Sequence, residues 1–206
     1  MSIVKLNNRS VKDVTAFGSI SSLGSLTHIA TQTASSSASI SFTSGIDSTY
    51  KEYIFYFINM HPASNNPVLS FNMSTDGGSN YNVTKTTSFF NAEIGETDSG
   101  GNTVTFAYQG SRDLAQQTDF ATLSRQCGND SDHSCSGFLH LFDPSNSTHV
   151  KHFICTTNSI FNYSPDYLMN NYTAGYGNTT SAVNAVQFKM SSGNTDSGQI
   201  LLFGLN

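Results

Sequence analysis

The chain has 206 residues, of which 11% are charged and 12% aromatic, with a net charge of -5 and a pI near 5.5. A soluble domain ordinarily carries about a quarter of its residues as Asp, Glu, Lys or Arg, so polarity here rests on Ser, Thr, Asn, Gln and Gly. That balance argues against a nucleic-acid partner, which needs clustered Lys and Arg, and the 15 Phe and 9 Tyr supply a core that a disordered chain lacks.

No apolar run approaches the roughly 20 residues of a membrane helix, and Met1 to Phe17 holds no signal-peptide apolar block. The expectation is a protein made in a cytoplasm, with no membrane partner. Three cysteines, Cys127, Cys135 and Cys155, do not look like a secreted disulfide framework and read as small buried residues or free thiols. The Asn-x-Ser/Thr triplets at Asn72, Asn82, Asn146 and Asn171 are expected by chance in so Ser- and Thr-rich a chain.

In chain order, residues 1–25 hold Lys5, Arg9, Lys12 and Asp13 and then small residues without sustained periodicity, which reads as an irregular arm or docking segment. From Leu26 the period-2 alternation of strands begins and carries through 26–206, read as a single domain. Thr27, Ile29 and Thr31 alternate with Leu26, His28 and Ala30, and Ser39 to Phe42 follows. Glu52 to Met60 is apolar on both alternating faces, the pattern of a central strand covered on both sides. Pro62 and Pro67 bracket a turn, Val68 to Met73 reads as a strand, and Asp76-Gly-Gly-Ser79 is a reversal. Tyr81, Val83, Lys85, Thr87 and Phe89 resume the alternation, Gly95 to Asn102 is a loop, and Val104 to Tyr108 a strand.

Arg112 to Arg125 is the one stretch spaced for a short helix, through Leu114, Thr118, Ala121 and Leu123. After a polar loop, Cys127 to Ser134, strands are predicted at Gly137 to Phe142 and Val150 to Thr157. Asn158 to Gly177, rich in Asn and Tyr, reads as a long exposed loop or irregular edge strand. A closing hairpin is predicted from Ala185 to Met190 and Gln199 to Leu205. Many short strands with little helix define an all-β chain: an antiparallel β-sandwich, jelly-roll-like, with the irregular N-terminal arm.

Uncharged side chains desolvate at lower cost than charged ones, so the composition suits a surface that packs against other protein copies. It also leaves few groups for catalysis. Neither a Gly-x-Ser-x-Gly elbow, nor a phosphate-cradling loop, nor a His-Glu-x-x-His is present. Glu52, Glu93, Glu96, Asp98, Asp130, Asp132 and Asp166 could supply a carboxylate pair, but most sit among Gly and Ser as turn formers. No enzyme and no cofactor are expected.

Asp130, Asp132 and His133 form the densest group of candidate metal ligands, weighed against a solvated turn whose side chains bond their own backbone. Zinc would want paired Cys/His spacings that Cys127, Cys135 and His140 do not provide. His140, His149 and His152 lie in or beside strands, with His140 opposite Leu139 and Leu141. Tyr163, Tyr167, Tyr172 and Tyr176 are the candidate contacts for a glycan or a neighbouring subunit, since Tyr joins an apolar face to a polar tip. Against that stands rim closure of the sandwich.

Leu6 to Val14, Thr33 to Tyr50, Phe57-Ile-Asn-Met-His-Pro62, Val150 to Asn158, and Phe188 to Gly193 with Ile200 to Leu205 carry a resemblance that covers nearly the whole chain. On these residues the chain resembles a family of small β-rich virion structural proteins of tailed bacteriophages of marine bacteria. The resemblance implies a homo-oligomeric part of the virion, tail-associated or fibre-like, made in the host bacterium and touching its own copies and other virion proteins. It implies no catalytic residues. A capsid decoration protein is the close alternative, and a carbohydrate-binding module that reaches a host surface glycan is the alternative of another class.

Overall fold

The computed structural model describes residues 26–96 and 105–205. Twelve strands run through them: β1 (Thr27–Thr33), β2 (Ile40–Phe42), β3 (Glu52–Pro62), β4 (Leu69–Ser74), β5 (Lys85–Gly95), β6 (Thr105–Tyr108), β7 (Ala121–Thr122), β8 (Cys135–Phe142), β9 (Lys151–Phe161), β10 (Tyr167–Gly177), β11 (Ala185–Met190) and β12 (Thr195–Leu205). They form an eight-stranded sheet, in the order β1-β12-β3-β8-β9-β10-β5-β6, and a four-stranded sheet, β2-β11-β4-β7. Every pairing within each sheet is antiparallel. This is an antiparallel β-sandwich, as the alternation predicts. The predicted arm, residues 1–25, lies outside the described residues, as do residues 97–104 of the predicted loop and strand start.

The core follows from the alternation. Tyr53, Phe55 and Phe57 of β3, Leu139 and Leu141 of β8, Phe153 of β9 and Ile200 and Leu202 of β12 are buried against Phe42, Phe71, Val186 and Phe188 of the smaller sheet. Phe188 is the junction, its ring 5.2 Å from those of both Phe55 and Phe57 and 6.2 Å from that of Phe71. The edge-to-face pairs with Phe55 and Phe57 and the stacked pair with Phe71 add to the area term of burial.

Four local expectations are corrected. Residues 112–125 form no α-helix: a single 3-10 turn, Gly110–Arg112, precedes an extended run along β5. The backbone there spends its hydrogen bonds outside itself. Lys85 and Gln117 exchange N–H and C=O, and Thr87 N donates to Leu114 O while Leu114 N donates to Thr87 Oγ1. Further on, Leu123 N donates to Leu69 O at 2.8 Å, so no i to i-4 ladder is left to form.

Residues 158–177 form no long loop. β9 extends to Phe161 and β10 runs eleven residues between β9 and β5, an interior strand. Its polarity conceals it, because the inward Asn171 and Thr173 are buried yet satisfied: Arg125 N donates to Asn171 Oδ1 at 3.0 Å, and Thr173 Oγ1 donates to Thr122 O at 2.8 Å.

The closing hairpin does not exist either. β11 pairs with β2 and β4 in the smaller sheet, whereas β12 pairs with β1 and β3 in the larger. The connection through Gly193 carries the chain across the roughly 10 Å between packed sheets. Finally, β3 is central but covered on one face only: Ile54 is buried by neighbouring side chains, Tyr56 is half-buried, and Ile58 is 43% exposed.

Candidate functional site

The β9–β10 connection, residues 162–166, brings two polar features to one end of the sandwich. It is fixed by Asn66, whose Oδ1 accepts from Asn162 N at 3.0 Å and whose Nδ2 donates to Asn162 O at 2.8 Å. Within it, Tyr163 N donates to Asp166 Oδ1 at 3.1 Å, which aims the other carboxylate oxygen back towards the 130–133 turn. That turn is closed by His133 N donating to Asp130 O at 2.8 Å.

The first feature is His133 with its carboxylates. His133 is 5% exposed, and its Nε2 lies 3.2 Å from Asp166 Oδ2 and 3.9 Å from Asp132 Oδ1. Ligand atoms of Asp130, His133 and Asp166 fall within 4.8 Å of one another. Two of the three residues singled out from the sequence are therefore together. Asp132 is displaced to the solvent side, 88% exposed, and Asp166 takes its place.

The set has the right donors for a divalent metal but not the right support. A metal on Nε2 needs the proton on Nδ1, and ligating histidines almost always donate that proton to an acceptor. Here Nδ1 is buried without a hydrogen-bond partner, against Gly128, where a Cβ would sit 2.3 Å from it. His133 Nε2 instead faces Asp166 Oδ2 at 3.2 Å, a close polar contact between the 130–133 turn and the 162–166 connection.

The second feature is a recess of about 110 Å³ lined by Glu93, Arg125, Phe161, Tyr163, Tyr167 and Met169. Phe161 and Tyr163 stack with centroids 5.5 Å apart at 19°, and Tyr167 stands 6.1 Å from Tyr163. The Arg125 guanidinium pairs with Glu93 Oε2, and Asn91 Nδ2 donates to the same oxygen at 3.1 Å. Both charged side chains are about four-fifths buried.

The four predicted tyrosines separate. Tyr163 and Tyr167 meet at the recess, but Tyr172 and Tyr176 point to the outer face of the eight-stranded sheet. There Tyr172 stacks on Phe90 at 5.1 Å and 17°, and Tyr176 lies 6.0 Å from His152. They belong to an aromatic face that includes Phe203, Tyr56, Phe138, Phe90, Phe106 and Tyr108 from five neighbouring or near strands. It also carries a shallow groove of about 570 Å³ between Phe142, His152, Ile154 and Tyr176, floored by Ala174 and Gly175.

His61 joins His133 at the 130–133 turn, its Nε2 3.2 Å from Asp130 O, but the three histidines singled out in or beside strands do not converge. His140 Nδ1 pairs with Glu52 across β8 and β3, His152 is exposed on β9, and His149 lends its carbonyl to Lys151 Nζ at 2.7 Å. The cysteines are buried free thiols. Burial raises the pKa of all three, that of Cys135 to about 12, and none is poised as a thiolate.

Glu93, Arg125 and Phe161 escape a sequence reading as partners, because they come from β5, the 123–126 segment and β9. The spacing Phe161-Asn-Tyr163-Ser-Pro-Asp-Tyr167 is the one local signal that points there. No family model matches this chain, and neither a curated protein nor a solved structure matches it.

Proposed function

We propose that this chain is a structural protein of a tailed-phage virion, tail-associated or fibre-like, that acts through contacts with its own copies and with other virion proteins. The observation that carries the reading is the aromatic outer face of the eight-stranded sheet. At its β6 edge Phe106 and Tyr108 are 68% and 67% exposed, beside the Phe90–Tyr172 stack. Contiguous apolar surface of this kind marks an interaction site on a soluble domain, and an edge strand offers unpaired backbone to a neighbour. The low charge supports the same reading, since little of that surface is costly to desolvate.

Sedimentation equilibrium of the full chain tests it. Self-association is expected, weakened by Phe106→Ser combined with Tyr108→Ser; a monomer up to high micromolar concentration, or association indifferent to the pair, removes the support. Copy number on an intact particle then separates a tail component from a capsid-surface protein.

A further inference from the structure

We propose that the recess between Glu93, Arg125, Phe161, Tyr163 and Tyr167 is a binding site for the terminal unit of a neutral glycan. The site is independent of the assembly face: its aromatic members sit at the end of β9 and β10, whereas Phe106, Tyr108 and Tyr172 lie on the outer sheet face.

The chemistry of the walls selects the ligand. Tyr163 is 64% exposed, one side of its ring stacked on Phe161 and Tyr167 inclined to both, so the apolar surface open to a ligand is that of Tyr163 bordered by Tyr167. Such a surface takes the C–H side of a pyranose while the phenol tips meet water or hydroxyls. Among the described residues, none hydrogen-bonds either Tyr hydroxyl, so both stay available to a ligand.

The polar wall decides against a charged ligand. An anion would want a guanidinium free of carboxylate, and a cation a carboxylate free of guanidinium. Arg125 and Glu93 neutralise each other. A neutral pair still offers donors and acceptors side by side: Arg has five N–H donors of which Glu93 Oε2 engages one group, and Glu93 Oε1 keeps its lone pairs. Adjacent hydroxyls of a sugar, each both donor and acceptor, match that pair.

The wall is also held in place. Arg125 N is bound to Asn171 Oδ1 and Glu93 to Asn91, so the polar groups are oriented before a ligand arrives, which lowers the ordering cost of binding. A volume of about 110 Å³ admits one ring in part, which is why the inference names a terminal unit and weak affinity.

The test is saturation-transfer NMR with titration of the full chain against the methyl glycosides of glucose, galactose, mannose and N-acetylglucosamine, with methyl glucuronide and inorganic phosphate as charged comparators. At least one neutral glycoside should bind with millimolar Kd and the charged comparators should bind more weakly. Tyr163→Ala, at a 64% exposed position, should weaken binding about tenfold or more, as should Arg125→Met, with Tyr172→Ala unchanged. The proposal is overturned if none of the four neutral glycosides binds, if binding survives Tyr163→Ala, or if a charged comparator binds more tightly. Self-association is expected to be the same in Tyr163→Ala, so failure here and failure of the assembly reading are separate results.

Discussion

The ring of Phe188 on β11 stands 5.2 Å from the ring of Phe55 on β3 at an interplanar angle of 60°, one residue from each sheet. Through this contact the smaller sheet is fastened to the larger, with Phe42, Phe57 and Phe71 around it. Phe188→Ala should therefore destabilise by about 3–5 kcal/mol, as large-to-small core changes of a fully packed aromatic do. Ile154→Ala, half exposed on the outer face, should cost much less. Chemical denaturation of both variants checks the contrast.

Lys85 is fully buried, with its Nζ 2.6 Å from both Asn72 Oδ1 and Val83 O, and burial pushes its pKa down to about 8. Between about 8 and the ordinary lysine value of 10.5 the unfolded chain binds the proton that the folded chain has lost, so stability rises with pH there. The three thiols act oppositely. Burial keeps them protonated in the folded chain while the unfolded chain loses these protons around the ordinary thiol value of 9.0, so stability falls with pH beyond that point. Stability should peak between about pH 8 and 9, where the opposing proton counts cancel, and Lys85→Met should lessen the rise, to which Lys151 also contributes, while leaving the alkaline fall. Denaturation midpoints across pH 7 to 10.5 check both arms.

Cys127, Cys135 and Cys155 should resist a thiol reagent in the native state and react fully, all three, in denaturant. Buried thiols with raised pKa react through opening of the fold, so a native rate below the unfolded rate by about a hundredfold or more is expected. A fast native reaction at any of them would show that the core here is open.

Gly198 has a φ of +117°, at the irregular register where β12 meets β3, and a Cβ there would approach Asn59 O to 2.6 Å and Met60 Cα to 2.8 Å. Gly198→Ala should destabilise by more than about 1 kcal/mol, from left-handed strain and the backbone clash together. Gly77→Ala, with φ +72° but open space around the Cβ, carries only the strain and should cost less. Thermal melts of the two variants separate the terms.

Among the described residues, the sequence by itself determined the strand content, the sandwich class and most strand positions, because alternation is a local property: Tyr53, Phe55 and Phe57 declare a buried face without reference to any partner. It also placed His133 beside Asp130 on one turn. Only the tertiary structure decided which sheet a strand joins, since β11 and β12 are neighbours in the chain but pair with strands more than a hundred residues away. It alone revealed β10 as interior, because Asn171 and Thr173 are made compatible with burial by acceptors and donors in the 122–125 segment. The recess, too, is a tertiary product: Glu93, Arg125 and Phe161 are distant in sequence, and only the β5–β10–β9 register and the Arg125–Glu93 ion pair bring their chemistry to one place.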